Sequence, residues 1–244
     1  MPGIGIEVKG IVKRLGETRA LAGMTASFEP GLLHGIIGPD GAGKTTFLRI
    51  MVGLLRPEEG KVEYFEDGRA AAFAAVRPRM AYMPQSQSLY PDLSVIEHME
   101  FFRELYRLTD DAYAARRDRL LKLTRLEPFQ DRTAGKLSGG MYKKLGLACA
   151  LLQEPAAVLL DEPTNGVDPI SRREFWEMLY GLTAEGCLVI MTTAYMDEAE
   201  RCDRVHLMES GRILAHGEPR SVLERENARS FEELFVRRSG ETAA

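Results

Sequence analysis

The stretch LLHGIIGPDGAGKTTFLRI, Leu32 to Ile50, decides the fold. Leu32 to Ile37 is a near-continuous apolar run, the pattern of a strand covered on both faces. It runs into a glycine-rich loop, after which a helix is predicted from Lys44 to about Leu55, stopped before Pro57. The loop itself, GPDGAGKTT from Gly38 to Thr46, fits G-x-x-x-x-G-K-[ST]. By average residue usage that pattern arises by chance in roughly one chain in a hundred of this size, and strand-before, helix-after is the context it needs. Glycines let backbone N–H groups converge on phosphate oxygens, and the helix N-terminus adds partial positive charge. Gly38, Pro39, Asp40, Gly41, Ala42, Gly43, Lys44, Thr45 and Thr46 are therefore the candidate phosphate cradle. In it Lys44 is expected to bridge the β- and γ-phosphates and Thr45 to ligate Mg²⁺.

A second apolar strand ends in acid: AAVLLDEPTNGVDP, Ala156 to Pro169. Two adjacent carboxylates at a strand end, taken alone, read as an ordinary solvated turn. Beside a phosphate loop they supply what phosphoryl transfer needs: Asp161 to hold Mg²⁺ through water, and Glu162 to polarise the attacking water. A third strand, in VIMTTAYMDEAERC (Val189 to Cys202), leads through a polar turn into an expected helix. The carboxyl edge of such strands is where ligands bind in open α/β folds. Its tip here is Ala194, which can neither donate, accept nor titrate.

The bulk properties narrow the class. A chain of 244 residues with 45% hydrophobic content can bury a real core, and 28% charged residues suit an ordinary surface. A net charge of −4 argues against a nucleic-acid binder. No apolar stretch reaches the roughly 20 residues needed to cross a bilayer, and the opening MPGIGIEVKG lacks the pattern of a secretory signal. Three cysteines (Cys149, Cys187, Cys202) without metal-ligand spacing read as reduced buried thiols, and four histidines (His34, His98, His206, His216) are scattered along the chain with none assigned to a metal.

Along the rest of the chain, IEVKGIVKRL and MTASFEPG alternate like strands and end at Pro30-Gly31. Val95, Met99, Phe102 and Tyr106 recur at helical spacing, as do Leu120, Leu123 and Leu126, so the span from Ser94 to Gln153 is expected to be mostly helical. Strand–helix alternation resumes after Pro155, and VHLMESGRILAHG reads as a hairpin turning at Ser210-Gly211. The picture is an α/β core with an inserted helical piece.

The segment KLSGGMYKKLGLACALLQEP, Lys136 to Pro155, reads locally as a helix opened by Ser138, with Met141, Leu145, Ala148 and Leu152 on one buried face. Its Leu137-Ser138-Gly139-Gly140, lying between the phosphate loop and the acidic strand, resembles the signature of ABC-transporter ATPases, and the likeness extends over essentially the whole chain. Gln85 in YMPQS matches that family's glutamine loop, and Asp168 matches the aspartate of its D-loop. TNGVDPISRREFW and YMDEAERCDRV look closest to daunorubicin-type drug exporters and related ABC-2 exporters.

The resemblance implies a P-loop NTPase core with a mainly parallel sheet, an N-terminal antiparallel β region and an inserted helical subdomain. Core segments would fall at 1–93 and 155–218, the helical subdomain at 94–154, the whole cassette at 1–229 and a tail at 230–244, with no accessory domain after it. It implies ATP and Mg²⁺ as bound groups, Gln85 joining Thr45 and Asp161 at the metal, and a second cassette lending its Ser-Gly-Gly, as Ser138-Gly139-Gly140 here would serve the neighbour. Short residues at a helix N-terminus allow that approach. A separate integral-membrane subunit would carry the cargo, with this chain peripheral on the cytoplasmic face and Leu89, Tyr90 and Pro91 of SLYPDL as a docking surface, or else part of a buried loop.

Three residues depart from the family pattern. Ala194 stands where a histidine usually faces the γ-phosphate, a loss of about 2–4 kcal/mol of transition-state stabilisation by analogy with deleting one preorganised donor. Leu15 stands where an aromatic often stacks on adenine, worth roughly 1–3 kcal/mol per base, with Arg14 and Arg19 as flanking groups. Met141 replaces a glutamine and reads as packing. An ATPase with a handicapped own site is the leading expectation; a non-catalytic, ATP-gated dimerisation module and a cassette acting on ribosomes or DNA are the other classes.

Overall fold

The computed structural model describes residues 3–86 and 89–242, with side chains through 238. Met1 and Pro2 of the opening segment, Ser88 of the SLYPDL segment and the last two residues of the expected tail lie outside the described residues.

In chain order the elements are β1 (Ile4–Leu15), β2 (Thr18–Phe28), β3 (Leu33–Ile37), α1 (Lys44–Met51), β4 (Glu59–Glu66), β5 (Arg69–Ala71), α2 (Phe73–Val76) and β6 (Met80–Met83). Three longer helices follow, α3 (Val95–Tyr106), α4 (Asp110–Thr124) and α5 (Gly139–Leu151). The chain continues through β7 (Ala157–Leu160), α6 (Pro169–Ala184), β8 (Leu188–Thr193), β9 (Arg204–Glu209), β10 (Arg212–Gly217), α7 (Pro219–Arg225) and α8 (Phe231–Thr242). One sheet has the order β2-β1-β4-β5 with antiparallel neighbours; the other has the order β10-β9-β3-β8-β7-β6. In the second sheet every pairing is parallel except that of β9 with β10. The expected mainly parallel core with an antiparallel N-terminal region is what forms.

The reason β3, β7 and β8 read as unbroken apolar runs is that both faces of the sheet are covered. Val158, Leu160, Val189 and Met191 pack toward α3–α6, in one core with Leu145, Leu147, Phe175 and Trp176. Their neighbours Leu159, Leu188 and Ile190 join Phe47, Leu48 and Met51 of α1 and Ile6, Val8 and Phe28 of the antiparallel sheet in a second core. Because these strands are parallel, their carboxyl ends share one edge, and the residues after β3, β6, β7 and β8 all emerge there.

Local differences from the sequence reading have local causes. α1 stops at Met51, not near Leu55: Gly53 turns left-handed (φ 73°), and the N–H groups of both Leu54 and Leu55 fold back onto the Arg49 carbonyl. The helix expected after Ala194 forms as a six-residue 3₁₀ helix, Met196–Arg201. The hairpin does turn at Ser210-Gly211, both at positive φ (46° and 73°). The histidines are less scattered than their numbering suggests. His34, His206 and His216 lie side by side on β3, β9 and β10, with His34 Nδ1 3.3 Å from His206 Nε2 and the His206 and His216 rings stacked. All three cysteines are free and buried.

Candidate nucleotide site

The glycine loop is shaped by backbone crowding. A Cβ at Gly38 would lie 2.1 Å from the Met208 carbonyl oxygen, and one at Gly43, where φ is 102°, 2.4 Å from that of Ala20. Only glycine lets the loop sit this close to β9 and β2. Gly38 N–H donates to the Thr193 carbonyl (3.1 Å), Ala42 N–H to Pro39 (3.2 Å), and Gly211 N–H to Ala42 (2.9 Å), so β8 and the β9–β10 turn prop the loop from both sides. Asp40 and Gly41 stay exposed while Ala42, Lys44 and Thr46 are buried.

Inside the loop Lys44 Nζ donates to the carbonyls of Gly38 (2.8 Å) and Pro39 (3.0 Å) and pairs with Glu162 Oε1 at 3.1 Å. Thr45 Oγ1 donates to Asp161 Oδ1 (3.0 Å). The same oxygen accepts from Thr192 Oγ1 (2.8 Å), and Asp161 Oδ2 accepts from the Tyr82 hydroxyl (3.4 Å). Glu162 Oε2 accepts from Gln85 Nε2 (2.8 Å) and Asn165 Nδ2 (3.2 Å). Thus Lys44, Thr45, Gln85, Asp161 and Glu162, chosen from three separate stretches of sequence, form one bonded network at the sheet edge. Asp161 is wholly buried and Glu162 nearly so, and buried carboxylates persist only with partners such as these.

A second locus holds the signature residues. Ser138 caps α5 by accepting from the Met141 N–H (3.3 Å). Asp168 caps α6, accepting from Ile170 (3.1 Å) and Ser171 (2.9 Å) N–H groups; the Ser171 bond leads in drawing its carboxyl below the ordinary range. Gly140 lies against α6, since a Cβ there would meet Ser171 Cβ and Oγ at 2.5 Å. Gly139 borders Gly166, and Met141 is half-buried against the helical core. Leu15 ends β1 and is 48% exposed, next to a turn in which Arg14 Nη2 bonds the Glu17 carbonyl.

At the tip of β8, Ala194 places a methyl group between Thr193 and Tyr195. Thr193 Oγ1 is engaged by the Tyr195 N–H (3.0 Å), and the Tyr195 hydroxyl lies 3.4 Å from Asn165 Oδ1. Glu198, which follows in the 3₁₀ helix, is buried and accepts from Thr164 Oγ1 (3.0 Å); burial pushes its carboxyl upward.

Sequence reasoning missed Thr192, Asn165, Tyr82 and Lys143. Thr192 hid inside an apolar strand, yet the parallel register that pairs Leu160 with Met191 places it beside Asp161. Tyr82 could have been found the same way, since β6 pairs it with Leu159. Asn165 and Lys143 carry no such signal.

Comparisons with known proteins identify the family. The ABC transporter family model matches residues 21–165, more than half of the chain. The chain is 44% identical over 228 residues to the probable multidrug ABC transporter ATP-binding protein YbhF of Escherichia coli (strain K12), spanning 93% of this chain but 39% of that protein. It is 37% identical over 218 residues to the daunorubicin resistance ATP-binding protein DrrA3 of Streptomyces coeruleorubidus, covering 89% of this chain and 69% of that one. A solved ATP-binding subunit of an ABC transporter superposes with a TM-score of 0.83 at 29% identity, over 96% of this chain and 99% of its own. The chain belongs to the ABC transporter family.

Proposed function

We propose that the chain binds ATP with Mg²⁺ at the Lys44–Thr45–Gln85–Asp161–Glu162 network, hydrolyses it, and drives export through a separate integral-membrane subunit. The observation that carries the reading is the network itself: a phosphate-loop lysine and threonine bonded directly to two strand-end carboxylates. The oxygens of Thr45, Asp161 and Gln85 are the hard donors that suit Mg²⁺. Held by these residues, the ion would supply positive charge against the charge that develops on the transferred phosphoryl group. Lys44 exchanges its loop carbonyls and Glu162 for phosphate oxygens, which releases Glu162 Oε1 to orient the attacking water. Leu15 offers adenine an apolar contact without stacking.

A second cassette completes the site. Its Ser-Gly-Gly segment covers the phosphates held here, and Ser138, Gly139, Gly140 and Asp168 of this chain serve the partner's nucleotide. With Ala194 in place of a donor, the site on this side turns over slowly, so the pair works asymmetrically. Residues 94–154 act as the helical subdomain between the core segments 1–93 and 155–218, within a cassette of 1–229 followed by a tail at 230–244. Export rather than uptake follows the two relatives, named for multidrug transport and daunorubicin resistance. Among the described residues no helix is long and apolar enough to cross a membrane, and the proposed location is the inner face of the cell membrane, bound to the membrane subunit. There Tyr90, 54% exposed and in edge contact with Phe101, offers an apolar docking point.

The test is copurification in mild detergent followed by ATPase assay of the complex, with Glu162→Gln as the blank. Recovery of a polytopic membrane protein and turnover above the blank are expected. Turnover equal to the blank, with ATP still required for pairing, would establish instead the regulatory dimerisation module that Ala194 also suits. Recovery of RNA or DNA in place of a membrane protein would refute the transport reading.

A further inference from the structure

Glu162 is held from every side, and one of its holds belongs to no nucleotide-binding motif. Its backbone sits in the left-handed region (φ 47°), which non-glycine residues avoid. It also precedes Pro163, a position that favours extended backbone. Strain of this kind persists only where the surroundings over-determine it. Here the N–H of Glu162 donates to Thr192 Oγ1 at 2.9 Å, fixing one end of the residue. The other end is fixed by Lys143, whose Nζ donates to the Glu162 carbonyl oxygen at 2.8 Å.

Lys143 comes from α5, one turn beyond the Ser138 cap that opens the helix. Its ammonium group is half-buried: burial draws its pKa down, while the carboxylates of Glu162 and Asp161 draw it up. The preceding residue, Tyr142, reaches in another direction, its hydroxyl accepting from the Leu89 N–H at 2.9 Å. The first turns of one helix thus touch the strand-end carboxylate segment through Lys143 and the segment after Gln85 through Tyr142.

We propose that Lys143 is a positioning residue for Glu162, holding the strained strand-end backbone so that the carboxylate stays aimed at the site formed by Lys44 and Gln85. By this bond the Ser138–Gly140 segment, which would serve a neighbouring cassette, and the carboxylate that serves this chain's own site are fastened to the same helix. A shift of α5 then alters where Glu162 points. The inference rests on the reading of Glu162 as the water-orienting carboxylate, and the experiment separates the two.

The purified chain with MgATP is assayed as wild type, Glu162→Gln, Lys143→Met and Lys143→Arg. Losing one donor to a buried carbonyl is expected to lower kcat about tenfold in Lys143→Met with KM for ATP changed less than about twofold. Lys143→Arg, which keeps charge and donor, is expected to retain kcat within about threefold. Adding Lys143→Met to Glu162→Gln is expected to lower the residual rate no further, because the lysine acts through the glutamate. If Lys143→Met does not fold, Lys143→Gln reads the same quantities. Wild-type kcat in the neutral variant, a loss carried by KM, or equal losses in Lys143→Met and Lys143→Arg would each overturn the positioning role while leaving Glu162 as read. A wild type no faster than Glu162→Gln would overturn the hydrolytic reading, and this inference with it.

Discussion

Lys44 and Glu162 are ion-paired across the nucleotide site, Nζ to Oε1 at 3.1 Å, with both side chains less than a tenth exposed. Each therefore neutralises a charge that the other would otherwise leave buried and unpaired. Removing one member of a buried pair typically costs about 3–5 kcal/mol, because the survivor keeps its desolvation penalty. Lys44→Met is accordingly expected to lower stability in denaturant unfolding by about 3 kcal/mol. Lys44→Met with Glu162→Gln should recover most of that loss. Additive losses in the double variant would show that the pair contributes nothing as a pair.

Ala194 makes the second prediction. The Ala194 side chain offers no donor, and the Thr193 hydroxyl beside it accepts from the Tyr195 N–H and is hydrogen-bonded to Glu198. Ala194→His adds an imidazole where the family resemblance expects one. A preorganised donor is worth about 10²–10³ in kcat, so single-turnover hydrolysis on this side should rise by about two orders of magnitude with little change in ATP affinity. An unchanged rate in the assembled complex would mean the site is not handicapped by this residue.

The buried histidines predict acid sensitivity. Burial, opposed by a backbone hydrogen bond at Glu29 and aided by Arg204, pulls His34 down to about 4. Burial, then His34 and His216, pull His206 down to about 3. Unfolded, each titrates near 6.5. The unfolded chain therefore binds more protons below that value, and stability that is fully present above pH 6.5 is lost as pH falls toward the folded values. Each histidine should cost roughly 2 kcal/mol by pH 5. Urea unfolding between pH 8 and pH 5 measures this, and His206→Phe should flatten the pH dependence even if its stability at pH 8 is lower.

How far the sequence went in reaching this site depends on what kind of contact each residue makes. Lys44, Thr45, Asp161 and Glu162 were legible because phosphate chemistry dictates both residue type and local spacing. Gln85 and Asp168 were legible only through family resemblance. Thr192 and Tyr82 act from neighbouring strands, so strand order had to be known first. Lys143 and Asn165 depend on how α5 and the loop after β7 settle in three dimensions, which no local pattern encodes. The His34–His206–His216 row escaped for the same reason: three strands distant in sequence bring it together. The early end of α1 at Met51 shows the converse, a local signal at Gly53 that outweighed Leu54 and Leu55 on the apolar pattern.

Thr192 supplies a further prediction. Its hydroxyl donates to Asp161 Oδ1 (2.8 Å) and accepts from the Glu162 N–H (2.9 Å), so one buried oxygen positions both strand-end acids. Thr192→Val keeps the shape and removes the oxygen, leaving an N–H orphaned and a carboxylate short of a donor. Each orphan costs about 1–3 kcal/mol. Thermal unfolding should show a clear loss, and Mg²⁺-dependent nucleotide binding should weaken more than binding measured without the metal. Equal weakening in both would mean Thr192 only supports the fold.

Gly140 tests the second locus by steric rescue. A Cβ at this position would lie 2.5 Å from both Cβ and Oγ of Ser171 and 3.4 Å from Asp168 Oδ2. Gly140→Ala should therefore push the first turn of α5 away from α6 and displace the Ser138 cap, although alanine is the better helix former by about 1 kcal/mol. The added methyl meets Ser171 and Asp168 and none of Lys44, Thr45 or Asp161, so ATP binding to the isolated chain should be preserved while ATP-dependent pairing of cassettes, read by size-exclusion or light scattering, is lost. Ser171→Gly removes both colliding atoms and costs helix α6 only about 1 kcal/mol in its first turn. The double variant Gly140→Ala, Ser171→Gly should recover pairing. Pairing that survives Gly140→Ala alone would show that close approach at Ser138–Gly140 is not required, and that two cassettes do not meet through this helix end.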